Sequence, residues 1–308
     1  MNTNSQSASE MSAQAPRTLL NFAMDSTRWN DFAFRDGDIV IGTWAKSGTT
    51  WTQQIVSQLV FNGKEGIPVG DIAPWVDMRV IPLQDITNLV ESQTHRRFLK
   101  THLPADALRF SPQAKYIYIG RDGRDVAWSF FNHLMRMSKE LYDAFNDPPG
   151  LPGQPVIRPD GDVVAFFDGW LNGDMYGADT FFQNVQSWWD VRGAPNVMLV
   201  HFNNLKADME GEIRRIADFL AIEIDEARWP AIVEHCSFDY MKENADSISE
   251  HFQAFFDGGL KNFIYKGTNG RWRELLGPDQ ISRYENAAAE SLSEDCARWL
   301  ATGESSAS

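Results

Sequence analysis

The chain has 308 residues, many of them Trp and Phe, and a formal net charge of −14. That length buries a core as one domain or two, and the acidic balance excludes broad nucleic-acid binding, which needs a basic surface. Only Cys236 and Cys296 are present and the six histidines lack metal-ligand spacing, so neither a disulfide framework nor a zinc site is expected.

The first sixteen residues, rich in Ser, Gln, Ala and Asn, lack the regions of a signal peptide. Residues 1–17 are expected to form a disordered tail, 18–302 the folded domain and 303–308 a flexible C-terminal tail. No apolar run reaches membrane-spanning length, so a cytoplasmic chain with no membrane partner is expected.

Thr18–Arg35 carries scattered apolar residues and leads into Asp38–Phe61, DIVIGTWAKSGTTWTQQIVSQLVF. Ile39, Val40, Ile41 and Trp44 form the short apolar run of a buried parallel strand. Ala45–Thr50 is small and polar, and from Thr49 the spacing of Trp51, Ile55, Val56, Leu59 and Val60 is helical. A strand, tight loop and helix in that order aim backbone N–H groups and the positive helix end at the loop, which makes an anion site. Lys46 adds a charge, and Ser47, Thr49 and Thr50 add hydroxyls. Lys46 precedes Gly48, so the G-x-x-x-x-G-K-[ST] order of nucleoside-triphosphatases is not met. The competing reading is a helix merely capped by Ser and Thr; this stretch leaves both open.

Gly63–Pro82 carries Pro68, Pro74 and Pro82 among apolar residues, including Trp75, and the prolines limit regular structure. Arg97–His102 reads as a second strand. Lys100 and His102 are in phase, so both project to one face at its carboxyl end, where open α/β sheets hold ligands. Each also has an ordinary reading, as a solvated charge and a hydrogen-bonded structural histidine. Ala114–Gly120 is the third strand, and Arg121-Asp122-Gly123-Arg124-Asp125 turns into a helix containing Ser129. An Arg fork and a hydroxyl suit a terminal phosphate, while a salt bridge from Arg121 to Asp122 or Asp125 is the alternative.

Asn146–Gly161 is a Pro- and Gly-rich loop. Asp162–Leu171 and Thr180–Val191 read as helices, Asn196–Phe202 as a fourth strand, and Leu205–Leu220 and Glu226–His235 as helices. Phe263–Trp272 is Gly-punctuated, and a helix from about Pro278 to Leu300 closes the chain. Strands alternating with helices give the fold class: α/β, a single domain with a mostly parallel central sheet flanked by helices and a P-loop-like anion loop.

Several of these segments together resemble the cytosolic-type sulfotransferases, which transfer a sulfuryl group from 3′-phosphoadenosine 5′-phosphosulfate (PAPS) to a hydroxyl or amine. TWAKSGTTW at Thr43–Trp51 is similar to the family's 5′-phosphosulfate loop T-Y-P-K-S-G-T-T-W, and FLKTHLP at Phe98–Pro104 to the segment with its catalytic histidine. YIYIGRDGRDVAWSF at Tyr116–Phe130 resembles the 3′-phosphate segment. SWWDVRGAPNVMLVHFNNLK resembles the S-W-W…Y-E-D-[ML]-K stretch, and FIYKGTNGRW the late R-K-G-x-x-G-x-W segment.

The resemblance implies PAPS as co-substrate, with no metal, and a small hydroxyl compound as acceptor, a phenol or hydrophobic alcohol. Lys46, Ser47, Gly48, Thr49, Thr50 and Trp51 are implied to hold the 5′-phosphosulfate, and Arg121, Ser129, Lys266 and Gly267 the 3′-phosphate. Trp51, Phe202, Cys236 and Phe238 are implied to surround the adenine. His102 is implied as general base, with Lys46 and Lys100 stabilising charge on the leaving phosphate and the sulfuryl oxygens. Trp75, Phe131, His133 and the Pro/Gly loop are the expected acceptor pocket.

The chain departs from the pattern in having Phe202 for Tyr, Tyr265 for the Arg before Lys-Gly, and Cys236 for Thr. The family's dimer motif K-x-x-x-T-V-x-x-x-E is broken by Gly277 and Pro278 in RELLGPDQIS, leaving the oligomeric state open. Two other readings stand beside this one. A nucleotide-dependent small-molecule kinase would prefer ATP, and a non-catalytic nucleotide-binding protein would not need both Lys100 and His102.

Overall fold

The computed structural model describes residues 16–148, 150–152, 155–173, 178–249, 255–257, 259, 264 and 267–304. Its centre is a four-stranded sheet of β1 (Ile39–Thr43), β2 (Phe98–Thr101), β3 (Lys115–Gly120) and β4 (Val197–His201), in the order β2-β1-β3-β4. Every neighbouring pair is parallel, with Ile39 opposite Phe98 and Lys115, and Tyr116 opposite Val197. β1 is buried at all its positions, which explains a continuous β-branched run where a half-exposed strand would alternate.

The strand order places the topological switch at β1. Its crossover to β2 leaves to one side, while β3 and β4 lie on the other. In open α/β sheets the ligand crevice lies outside the carboxyl ends of the strands at such a point. Two loops meet there, Trp44–Gly48 after β1 and Arg121–Asp122 after β3. At the opposite end a buried ion pair, Arg97 with Asp38, ties the entrances of β2 and β1, with Nε donating to Oδ1 at 2.8 Å.

Two groups of helices cover the sheet. One contains α1 (Thr49–Val60), the single turn α2 (Val69–Ile72), α9 (Met209–Leu220) and α10 (Trp229–His235). The other contains α4 (Gly123–Arg136), α6 (Val163–Leu171), α7 (Ala178–Asp190), α13 (Pro278–Ser291) and α14 (Glu294–Thr302). α3 (Leu83–Ser92) and α5 (Lys139–Asn146) precede β2 and follow α4, and α8 (Phe202–Ala207), α11 (Phe238–Glu243) and α12 (Ala245–Ile248) are short.

Four differences from the sequence reading have local causes. The helix expected over Leu205–Leu220 is two helices, because Asp208 leaves helical geometry and its carboxylate caps α9 through the Gly211 N–H at 2.9 Å. The helix expected from Pro278 to Leu300 also breaks, at Leu292 and Ser293, before α14. α3 was not expected at all: it buries only Ile86 and Val90, too short an apolar stripe to announce a period. At the N-terminus, Arg17 is not loose. Its backbone N–H reaches the Asp106 carbonyl at 2.8 Å and its Nε the Asp106 carboxylate at 2.7 Å. Residues 1–15 and 305–308, most of the expected tails, lie outside the described residues.

Candidate functional site

The loop after β1 is held in a conformation that ordinary loops avoid. Lys46 is left-handed (φ 68°) and Gly48 has φ 125°; a non-glycine residue in this region costs about 1–3 kcal/mol unless its surroundings enforce it. A Cβ on Gly48 would lie 2.8 Å from Ile119 Cδ1 and 3.1 Å from Phe202 Cδ2. The loop therefore packs flat against β3 and α8. Gly48 is also the N-cap of α1, and no side chain caps the helix, which answers the alternative that Ser and Thr are present only as caps. Thr49 Oγ1 instead bonds Thr43 Oγ1 at 2.7 Å. Ser47 Oγ is buried with no hydrogen-bond partner among the described residues. A buried hydroxyl left unpaired costs about 1–3 kcal/mol, and an anion in the loop would satisfy it.

At the carboxyl end of β2, His102 is buried, with Nδ1 2.8 Å from the Thr43 carbonyl and 3.0 Å from Thr43 Oγ1. A carbonyl only accepts, so Nδ1 carries the proton and Nε2 the lone pair. Burial, Lys100 and Lys46 hold the imidazole well below its ordinary pKa, against the hydrogen bond to Thr43. Lys100 lies over the Trp75 ring at 4.8 Å, and Trp75 meets His102 edge to face at 4.6 Å. Behind them Asp77 is fully buried, accepting from Trp75 Nε1 at 2.6 Å, Trp29 Nε1 at 3.1 Å and the His102 backbone N–H at 3.4 Å. Burial pushes its carboxyl upward against these hydrogen bonds.

Burial, with Lys100, Arg121 and Arg136 nearby, depresses Lys46 to about 7. Burial also depresses Lys100 to about 8, opposed by Asp77. Both lysines are thus poised near neutrality in the same buried chamber.

Arg121, at the end of β3, donates to Asn269 Oδ1 (3.0 Å), the Thr268 carbonyl (3.1 Å) and the Lys46 carbonyl (3.2 Å). All three acceptors are neutral; Asp122 pairs with Arg124 instead, and Asp125 and Asp122 act on Arg121 through charge rather than a hydrogen bond. Arg121 also covers the Phe202 ring at 4.3 Å, and Phe202 meets Trp51 edge to face at 5.2 Å. Trp51 Nε1 donates to the Cys236 carbonyl at 2.8 Å. Gly267 (φ 58°) closes on Phe238, whose Cδ2 would be 2.4 Å from a Cβ there. The loop after β3 and the Gly267–Gly270 segment thus form a ring-lined slot. Lys266 and Tyr265 lie outside the described residues.

These elements surround one cavity of about 510 Å³. Lys46, Gly48, Thr49, Thr50, Trp51, Lys100, His102, Arg121, Ser129, Phe202, Phe238 and Gly267 line it, as do Trp75 and His133. Ser47 and Cys236 sit behind the wall; Cys236 is fully buried, and burial raises its thiol pKa. Phe131, expected in the acceptor pocket, is not on the lining. It stacks on Trp128 and Phe166, at 6.1 and 5.5 Å, because its position on α4 faces α6. In a chain of net charge −14, no Asp or Glu is among the described lining residues.

Away from Lys46 and Arg121 the wall becomes apolar, with Met24, Met78, Leu134, Met137, Leu141 and Phe145. Phe130 and Leu134, one turn apart on α4, and Leu141 on α5 reach this wall from two helices separated at Met137, whereas Met24 and Met78 carry no local signal. Val156, inside the Pro/Gly loop, also lines the cavity and is pinned to Asn146 by two 2.9 Å hydrogen bonds.

The chain matches the sulfotransferase domain over residues 36–295. It is 29% identical over 301 residues to a glycolipid sulfotransferase of Mycobacterium bovis, covering 91% of this chain and 92% of that one. It is 30% identical over 282 residues to sulfotransferase 1B1 of Mus musculus, covering 88% of each. In fold it is similar to the mouse sulfotransferase SULT7A1 in complex with PAP (24% identity, TM-score 0.66, 89% of this chain and 91% of that one). It is also similar to a retinol dehydratase in complex with androsterone and PAP (22% identity, TM-score 0.66, 87% and 84%).

Proposed function

As the chain belongs to the sulfotransferase family, we propose that it transfers a sulfuryl group from PAPS to the hydroxyl of a small phenol or hydrophobic alcohol, with His102 as general base. One observation carries this reading: Lys46, Lys100, His102 and Arg121 share a cavity whose described lining holds no carboxylate. The residues also fit the donor's chemistry. The unsatisfied Ser47 hydroxyl and the strained Lys46–Gly48 loop suit a 5′-phosphosulfate. Arg121 with Ser129 suits the 3′-phosphate, and Trp51, Phe202 and Phe238 suit a flat base.

In the proposed step the acceptor oxygen attacks sulfur, forming the new O–S bond as the bond from sulfur to the phosphate oxygen breaks. The acceptor proton passes to Nε2 of His102, whose tautomer Thr43 fixes. Lys46 and the loop N–H groups receive the charge that grows on the leaving phosphate, and Lys100 faces the sulfuryl oxygens. The apolar Met and Leu wall receives the body of the acceptor, so its hydroxyl is presented at His102.

The test is transfer of labelled sulfuryl from PAPS to a panel of phenols, a sterol, retinol and a glycolipid, beside His102→Ala. The variant is expected to lose about 10²–10⁴ in kcat; transfer at the wild-type rate would remove His102 as the base.

A further inference from the structure

Tyr265 stands where the family pattern has an Arg, and the same stretch of sequence carries an arginine six residues on. Resting on the PAPS reading above, we propose that Arg271 supplies the missing charge and is a specificity-determining residue for the donor's 3′-phosphate. Arg271 opens the short 3₁₀ turn Arg271–Glu274 and lines the same cavity as Arg121, Ser129, Gly267 and Thr268.

Its position is fixed by the segment before it. Arg121 donates to the Thr268 carbonyl and to Asn269 Oδ1, at 3.1 and 3.0 Å. The Gly270 N–H donates to both oxygens of Asp125, on α4, at 2.8 and 3.0 Å. Gly270 is left-handed (φ 80°), which turns the chain back so that the next side chain faces the slot. The segment that leads into Arg271 is therefore anchored to Arg121 and to the first turn of α4.

The charge balance points the same way. Asp125 faces Gly270 rather than Arg271, accepting the Gly270 N–H on both oxygens. Arg124, in the first turn of α4, is neutralised by Asp122 and covered by Trp272 at 3.8 Å. Arg271 has no ion pair and no side-chain hydrogen bond among the described residues, and it is half-buried. A partly desolvated guanidinium without a carboxylate partner, in the same cavity as a second one whose hydrogen bonds go to neutral acceptors, fits a dianionic monoester that takes a bidentate bond from each.

The test compares two ligands that differ only at the 3′ position, adenosine 3′,5′-bisphosphate and adenosine 5′-monophosphate, by calorimetric titration of the wild-type chain, Arg271→Gln and Arg271→Lys. Arg271→Gln is expected to weaken the bisphosphate about tenfold while leaving the monophosphate within about twofold, with Arg271→Lys between wild type and Gln. Equal weakening of both ligands, or of neither, would overturn the assignment of Arg271. A wild-type chain with no preference for the bisphosphate would instead overturn the donor reading on which it rests.

Discussion

At the scale of single residues, the protonation states in the cavity set an expected pH profile. In the proposed reaction His102 can take a proton only when neutral, and its depressed pKa favours the neutral form. The charge-stabilising role proposed for Lys46 and Lys100 requires them protonated, and burial depresses them to about 7 and about 8. The groups that depress Lys46, besides burial, are Lys100, Arg121 and Arg136, all positive. The sign follows: kcat/KM for the donor, which reports the free enzyme, is expected to be flat through pH 6 and to fall as pH rises past about 7. A bound anion raises both lysine pKa values, so the limb in kcat lies at higher pH than the limb in kcat/KM. Coincident limbs in the two profiles would contradict this. The sequence announced these residues because each stands at a strand end. It did not announce Asp77 or the Thr43 carbonyl, since what they do depends only on which groups fold against them.

At the scale of elements, the sheet separates stability from chemistry. The Arg97–Asp38 pair lies at the entrances of β2 and β1, and the site at their exits. Replacing Arg97 with Ala leaves a buried carboxylate unpaired, which typically costs about 3–5 kcal/mol. Denaturant unfolding is expected to show that loss while kcat of the folded fraction stays near wild type. A parallel fall in kcat would mean that the two ends of β1 are mechanically coupled. The strands were legible because burial on both faces demands uninterrupted β-branched runs, as in Ile39–Ile41. Helix ends were less so: the break before Met209 and the short apolar stripe of Leu83–Ser92 leave no period to read. The apolar wall of the cavity was hidden for another reason, because Met24, Met78 and Met137 converge only in three dimensions.

At the scale of the whole molecule, an acidic chain concentrates positive charge in a single interior chamber. Burial and mutual repulsion disfavour the charged form of Lys46, so an anion that binds the folded chain there stabilises the entire fold. At a concentration one hundred times its Kd, adenosine 3′,5′-bisphosphate is expected to add about 2.7 kcal/mol, raising the thermal midpoint by about 5 °C. A larger shift with ATP at equal concentration would return the kinase reading. No helix among the described residues is long and apolar enough to cross a membrane.

The hydrogen bond from His102 Nδ1 to the Thr43 carbonyl has one further consequence. Many catalytic histidines lean on a carboxylate, which steadies the imidazolium once it has taken a proton. Here the support is a neutral peptide oxygen, and Lys100 and Lys46 oppose the cation. In the proposed reaction the protonated base is therefore a short-lived species, favoured only while the newly formed anions remain in the chamber. Once they depart, the proton is expelled. Each turnover thus re-arms its own base, and the departing bisphosphate is the trigger.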